Sequence, residues 1–520
     1  MVSSAGSAVR REAGVLLPLF SLRSGRDWGI GEIGDLGAFA GWLAGAGHGL
    51  LQLLPVLEMS PGERSPYAAA SAFALDPIYL SLDAVEDFVA AEGAGRVADD
   101  LAAVRATAGI DYDAVRRLKR RALEIAFAHF AATESAGGSA RAARFDEFRA
   151  AERAWLDDYS LFRACQEEAG GARWREWLPG LRDRVPAALA DAAARLARSR
   201  RFHEYVQWIA AEQWAAARRE LAAAGVRLKG DLPFVLSPDA VDVWARPREF
   251  DLGVQIGAPP DAFNADGQAW GLPAQRWDVM EASGFAWLRE RAARAAALFD
   301  AFRVDHVVGF YRQYVIPGDG PAGFVPADED EQRRLGERLL RTMQSAAPGA
   351  TLIGEDLGVV PPFVRRSLAA LAVPGYRVLR WEAEDGAFRD PTHYPDCSVA
   401  TSGTHDTSPL ATWWEDELDA NARAALARVP VFATLGDAGP SFTPRVHDAL
   451  LDGLYAAGSA LVVVPFPDAY GGRERINVPA TIGAGNWGYR LPWTVAELGA
   501  SAGAALAASL RERAVRGGRA

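Results

Sequence analysis

A parallel (β/α)8 barrel carrying two insertions is the fold that the 520-residue sequence predicts. Three observations lead there. Eight short apolar runs recur along the chain, with helix-like stretches between most of them, which is the alternation that builds parallel α/β sheets. Several of these runs lack polar–apolar alternation, as strands buried on both faces do. Carboxylates stand at the C-terminal ends of the fourth, fifth and seventh runs, the rim where barrel enzymes gather their catalytic groups.

The runs cover residues 15–20, 50–56, 226–234, 301–307, 351–357, 376–381, 398–405 and 460–466. Helices are expected over 34–46, after the first run, and over 285–298, before the fourth. Gly29-Ile30-Gly31-Glu32-Ile33-Gly34 spells a dinucleotide-binding GxGxxG, but residues 21–28 separate it from the first strand. That motif needs its glycines in the turn directly after a strand, so here it reads as a loop entering a helix capped near Asp35. Residues 83–200 are rich in Ala, Arg and Glu and read as amphipathic helix, with Val115, Leu118, Ala122, Ile125 and Ala126 on one face. A helical insertion within one barrel domain over 1–520 is therefore expected. A second insertion, 236–284, is Pro-, Gly- and Trp-rich and poorly periodic, which predicts an irregular loop covering a binding site. The final stretch, rich in Ala, Gly and Arg, is expected to fray.

The composition, 50% hydrophobic and 24% charged, is ordinary for a globular protein. A net charge of −11 opposes nucleic-acid or anionic-membrane partners, which demand a basic footprint. Cys165 and Cys397 lie far apart with no CxxC or Cys/His spacing. Neither a disulfide scaffold nor a metal site is expected, and a cytoplasmic, reducing setting is. No signal peptide and no bilayer-spanning stretch is evident. The sixteen tryptophans suit stacking on sugar faces as well as core packing; composition alone favours packing.

The acids are Asp305 in Phe302-Arg303-Val304-Asp305-His306, Glu355 in Ile353-Gly354-Glu355-Asp356-Leu357, and Asp406 in Gly403-Thr404-His405-Asp406-Thr407. Such a set suits glycosyl transfer with retention. One carboxylate attacks the anomeric carbon; a second, roughly 5–5.5 Å away, protonates the leaving oxygen and later deprotonates the acceptor. The nucleophile must be ionised, and Arg303, on the same strand face as Asp305, is placed to hold it so. The acid needs a raised pKa, which neighbouring carboxylates help to supply. Any one of these acids is as easily a cap or a structural ion pair; the three together are specific. His306 and His405 adjoin carboxylates, and hydrogen bonding to substrate is a more economical reading of them than a metal pair, with a structural histidine at 306 as the alternative. Neither a metal nor a cofactor is expected.

With these strings the chain resembles the 4-alpha-glucanotransferase family (amylomaltase, or disproportionating enzyme; glycoside hydrolase family 77), a branch of the α-amylase clan. Further matching strings are Pro18-Leu19-Phe20-Ser21-Leu22, Gly29-Ile30-Gly31-Glu32-Ile33-Gly34-Asp35, Ser65-Pro66-Tyr67 with Ser71-Ala72-Phe73, and Gly230-Asp231-Leu232-Pro233-Phe234-Val235. Asp242-Val243-Trp244-Ala245, Gly257-Ala258-Pro259-Pro260-Asp261, Gly267-Gln268-Ala269-Trp270-Gly271, Arg475-Ile476-Asn477-Val478-Pro479 and Asn486-Trp487 complete them. The resemblance implies a nucleophile at Asp305, a general acid/base at Glu355 and a transition-state stabiliser at Asp406. It implies substrate-binding roles for Tyr67, Asp231, Gln268, Trp270, Arg303 and His405, and a lid over 257–270 that excludes water. The implied reaction moves part of an α-1,4-glucan to the 4-hydroxyl of glucose or another maltooligosaccharide, without a metal. No C-terminal β-sandwich of the α-amylase kind is expected.

The chain departs from the common family pattern at Ala68, where Gln is usual, at Val308 for Arg, and at Thr407 for Asn. Trp270-Gly271-Leu272-Pro273-Ala274-Gln275 replaces a WGNP-like string with a following Tyr. These changes spare the acids but thin the polar contacts around bound sugars, so they bear on chain-length and acceptor preference. Two alternatives use the same sequence: an α-glucan hydrolase with the same acids, and a glucan-binding homologue whose catalysis has lapsed.

Overall fold

The computed structural model describes residues 10–135, 137–260, 267–479, 481, 483 and 485–520. Eight strands form the barrel: β1 (Glu12–Leu16), β2 (Leu50–Gln52), β3 (Arg227–Leu232), β4 (Ala301–Val304), β5 (Thr351–Gly354), β6 (Gly375–Val378), β7 (Ser398–Thr401) and β8 (Leu461–Pro465). They pair in parallel in the order β6-β7-β8-β1-β2-β3-β4-β5. The β5–β6 seam is bridged by one backbone bond, from Gly354 N–H to Pro374 O at 2.9 Å, and by the buried Asp356 carboxylate, which accepts from Tyr376 N–H at 2.6 Å. A Cβ on Gly375 would stand 2.7 Å from Asp356 Oδ1, so glycine is what lets that carboxylate in.

Most apolar runs overshoot their strands at the C-terminal end. Hydrophobicity records burial, and residues beyond the last ladder bond are still buried against the rim. The first run is displaced instead: β1 starts at Glu12, and the chain leaves it through a 3-10 turn, Leu19–Ser21. Helices Leu36–Gly45 and Ala286–Leu298 fall where the periodicity places them. Asp35 occupies the N-cap position without a side-chain cap bond; it faces Arg26 at 3.5 Å instead. In the GxGxxG string, Gly29 has φ +80° and a Cβ on Gly31 would lie 2.0 Å from Leu19 O, so these glycines serve close packing. Glu32 from this string is buried against Lys119 Nζ at 2.7 Å. Burial pushes Glu32 up to about 7 and Lys119 down.

Between β2 and β3 the chain passes through helices from Glu86–Ala90 to the 27-residue Ala197–Ala223. Helix Tyr112–Phe130 buries Val115, Leu118, Ala122, Ile125 and Ala126, the face that the sequence marks. Trp214 Nε1 of the long helix donates to Leu298 O at 3.0 Å, tying it to the barrel's outer ring. Over 236–284 the structure is more regular than the sequence predicts. Strands Phe250–Ala258 and Gln268–Gln275 join Gln313–Pro317 and Gly323–Val325 in a four-stranded antiparallel sheet. Two of its strands come from beyond β4, a pairing that no local pattern encodes. Asp261 lies outside the described residues.

The C-terminal stretch does not fray. It forms helix Ser501–Arg516, and the buried Arg519 donates to Tyr455 O and Ala460 O at 2.9 Å each, and to Ala457 O. These carbonyls lie at the barrel's N-terminal face, where Ala460 O also accepts from Glu12 N–H at 2.9 Å and Ala457 O from Arg11 Nη2 at 3.0 Å. The thiols of Cys165 and Cys397 are free. Among the described residues, no helix is long and apolar enough to cross a membrane.

Candidate active site

The C-terminal ends of β3, β4 and β5 step their carboxylates into one place. Asp305 and Glu355 each follow the last residue of their strand, and each is pinned to its neighbour: Asp305 N–H to Leu232 O at 3.1 Å, Glu355 N–H to Val304 O at 3.0 Å. Asp231 and Arg303 lie in register on β3 and β4, with both side chains inside the barrel.

Arg303 is the hub. Its Nε donates to Asp231 Oδ2 at 2.9 Å, and its Nη2 to both Tyr67 Oη and Asp305 Oδ1 at 2.8 Å. Its Nη1 stands 3.9 Å from Glu355 Oε2. Burial opposes the Arg303 charge, but Asp231, Tyr67, Asp305 and Glu355 outweigh it and hold the guanidinium protonated. Asp231 is held above the usual carboxylate range by burial, with Arg303 opposing. Tyr67 Oη also donates to Asp231 Oδ2 at 2.8 Å, and its ring stacks on His405 at 5.1 Å.

Glu355 differs from its neighbours. Its carboxylate accepts the His306 N–H at 2.7 Å, and burial raises it to about 8, with Arg303 lowering it and Asp305 raising it. The bond needs His306 in the left-handed region, φ +43°, a conformation uncommon outside glycine. The His306 ring is then clasped between Phe234 and Trp270, at 5.5 and 5.1 Å. The backbone N–H of His306 thus serves Glu355, while the residue also lines the cleft.

Asp406 does not end a strand as the sequence suggests. β7 stops at Thr401, and Asp406 sits in the following turn because Thr404 and Thr407 close that turn on themselves. Thr404 N–H donates to Thr407 Oγ1 at 3.0 Å, and Thr407 Oγ1 to Thr404 O at 3.1 Å. Thr407 thus shapes the turn that presents Asp406. The carboxylate accepts from Asn477 Nδ2 at 2.6 Å, and its backbone carbonyl accepts from Arg475 Nη2 at 2.8 Å. His405 Nε2 lies 3.3 Å from Asp406 Oδ2. With 41% of its side chain exposed against 15% for Glu355, Asp406 is the wetter acid.

The acids open into a cleft of about 350 Å³ walled by Tyr67, Phe234, Trp270, His405, Asn477 and Trp487. Asn477 and Trp487 carry no site role in the sequence reading, although both lie in strings that match the family. Trp487 has φ +60°, and its carbonyl accepts from Tyr112 Oη of the helical insertion at 2.9 Å. Most of the large buried tryptophans, such as Trp28, Trp244, Trp287 and Trp414, are core; Trp270 and Trp487 are the pair that face the cleft. Gln268 does not line it. It is exposed and its Oε1 accepts from Trp270 Nε1 at 3.1 Å, which orients the indole.

Other departures from the family pattern have structural partners. Gln275 Nε2 donates to Phe234 O at 2.9 Å, while Gln275 N–H donates to Gln313 Oε1 and Gln313 Nε2 to Gln275 O, both at 2.8 Å. The Gln275–Gln313 exchange joins two strands of the antiparallel sheet, and the bond to Phe234 O ties that sheet to the loop after β3. Leu272 lines the cleft, and Val308 is buried. Ala68 contributes its carbonyl to Ser60 N–H at 2.8 Å. Among the described residues, no cluster of His, Cys, Asp and Glu is arranged to hold a metal ion.

Comparison with known proteins gives one consistent result. A family model described as 4-alpha-glucanotransferase matches residues 17–495. A 4-alpha-glucanotransferase of Thermus thermophilus is 34% identical over 498 residues, 92% of this chain and 95% of the relative. One from Chlamydia pneumoniae is 30% identical over 499 residues, 93% and 92% of the two chains. The fold is similar to that of an amylomaltase from Streptococcus agalactiae solved in complex with acarbose. The TM-score is 0.82 at 27% identity, over 98% of this chain and 100% of that one.

Proposed function

Because the chain belongs to the 4-alpha-glucanotransferase family, it is a glycosyl-transferring enzyme, and we propose that Asp305 is its nucleophile, Glu355 its general acid/base and Asp406 its transition-state stabiliser. The observation that carries this division is the asymmetry around Arg303. Its guanidinium bonds Asp305 directly at 2.8 Å but approaches Glu355 only to 3.9 Å, and Glu355 is raised to about 8. One carboxylate is thereby held by a charge-assisted bond and the other keeps a proton to give.

In the first step an Asp305 oxygen forms a bond to the anomeric carbon as the bond from that carbon to the leaving sugar's O4 breaks. The Glu355 proton passes to that oxygen. In the second step an acceptor 4-hydroxyl attacks the same carbon, Glu355 takes its proton back, and the ester to Asp305 is released. Two inversions leave the α-configuration intact. Asp406, oriented by Asn477 and His405, would hold hydroxyls of the reacting sugar as its ring flattens. Tyr67 and His405 would offer it a flat face.

The substrates in this reading are α-1,4-glucans, maltooligosaccharides and glucose; a solved relative that binds acarbose supports that class. The sheet over 236–284 would cover the acceptor side through Trp270 and keep water from the glycosyl-enzyme. A cytoplasmic location belongs to the same proposal, and the free thiols of Cys165 and Cys397 support it. Maltotriose is the test substrate. Products longer than the input mark transfer, shorter products alone mark hydrolysis, and binding without products marks lapsed catalysis. Asp305→Asn and Glu355→Gln should each lower turnover by several orders of magnitude with the fold retained. Near-normal turnover in either removes that residue from its role.

A further inference from the structure

Beneath the catalytic acids lies a second polar layer that the reaction as described does not use. Strand side chains alternate, so Lys229, two residues before Asp231 on β3, also points into the barrel. It is fully buried, at 0% exposure. Its Nζ donates to Gln52 Oε1 on β2 at 2.9 Å and to Tyr376 Oη on β6 at 2.7 Å. The side chain therefore reaches across the barrel interior. Its Nζ makes no ion pair among the described residues.

Lysine is a costly choice for this place. A buried ammonium loses several kcal/mol of hydration, and two neutral acceptors return only part of it. Leucine or methionine would fill the barrel floor without that cost. The charges around it give the cost a use. Asp231 on β3 and Arg303 on β4 are the charges that act on it, Tyr376 stands against it from β6, and Gln52 on β2 is neutral. Asp231 spends Oδ2 on Arg303 and Tyr67, and its Oδ1 is buried without a hydrogen-bond partner. That carboxylate carries more negative charge than its bonds neutralise.

We propose that Lys229 is a positioning residue for glycosyl transfer: its ammonium, slung between Gln52 and Tyr376, is the cationic floor against which Asp231 orients Arg303 and hence Asp305. The proposal rests on the reading of Asp305 as nucleophile. Burial, with Arg303 adding to it and Asp231 opposing, brings Lys229 down to about 7. The floor is therefore charged below neutrality and discharges as pH rises past it.

The test compares Lys229→Met, Tyr376→Phe and the double variant. Lys229→Met alone leaves the Tyr376 hydroxyl buried without its donor and should lower Tm. The double variant removes the Tyr376 hydroxyl as well, leaves only Gln52 Oε1 without its Lys229 donor, and should recover part of that loss. Turnover should not recover with it. We expect kcat to fall about tenfold in Lys229→Met and in the double variant, the worth of one pK unit of charge interaction, with KM little changed. The parent's advantage in kcat over both variants should also shrink as pH rises past about 7, where the Lys229 ammonium discharges. If kcat returns together with Tm in the double variant, or if that advantage is the same on either side of pH 7, Lys229 is structural and the proposal is wrong. Asp305→Asn, assayed alongside, reads the nucleophile assignment separately: its inactivity leaves that assignment standing whatever the Lys229 variants do.

Discussion

Replacing Arg303 with Met is the most informative single perturbation, because the guanidinium serves four partners while its stem merely fills space. The change deletes the bonds to Asp231, Tyr67 and Asp305 and leaves the Asp231 side chain, 0% exposed, with the Tyr67 hydroxyl as its one described hydrogen-bond donor. Removing one partner of a buried ion pair costs about 3–5 kcal/mol, a large share of the roughly 5–15 kcal/mol that holds a domain folded. Denaturant unfolding at pH 7 should show this as a lower midpoint at constant slope. Adding Asp231→Asn should restore part of the loss, since no unpaired charge then remains inside. The pH dependence has a defined sign. Burial already raises the folded-state Asp231 carboxyl above its usual range, with Arg303 the leading opposing influence, so deleting Arg303 raises it further. The folded variant then binds a proton more tightly than the unfolded chain. Its deficit should shrink as pH falls through that raised value and grow as pH rises from the unfolded value towards it. A variant within about 1 kcal/mol of the parent, the size of an ordinary substitution, or a deficit that deepens on acidification, would refute the hub assignment.

Three further outcomes follow from other parts of the molecule. Wild-type kcat/KM should fall as pH rises through about 8, where Glu355 loses its proton; in Glu355→Gln, a maltosyl fluoride, whose leaving group needs no proton, should still form the glycosyl-enzyme, and failure to do so denies Glu355 the acid role. Trp270→Ala should uncover His306 and raise the ratio of hydrolysis to transfer severalfold in a maltotriose digest; an unchanged ratio means the indole is no lid. Arg519→Ala should lower stability by about 1–3 kcal/mol through the Tyr455 carbonyl, which loses its Arg519 donor, read by thermal unfolding; a silent change would mean the C-terminal contacts contribute nothing.

Much of this protein was legible before any coordinate. Strand number, the shared face of Arg303 and Asp305, and the rim positions of Asp305 and Glu355 follow from apolar runs and two-residue alternation, since a barrel strand imposes one face on its own neighbours in sequence; Asp231 follows from the family strings. The helix over Tyr112–Phe130 is readable for the same reason at a period of 3.6. Asp406 was found by its string but misplaced, because the turn that carries it is closed by Thr404 and Thr407 hydroxyls, and side-chain turn bonds leave no periodic trace.

What tertiary structure alone decided is what links distant segments. The second insertion is a sheet because strands from either side of β4 pair, and Gln275 meets Gln313 across that gap. Glu355 is raised because the fold buries it beside Asp305 while Arg303 approaches it only to 3.9 Å. Lys229 lies under Asp231 in any strand register, but its span to Tyr376 exists only once β6 closes the barrel. Local sequence determines which face a residue takes; bond partners and pKa depend on what the fold brings to that face from elsewhere in the chain.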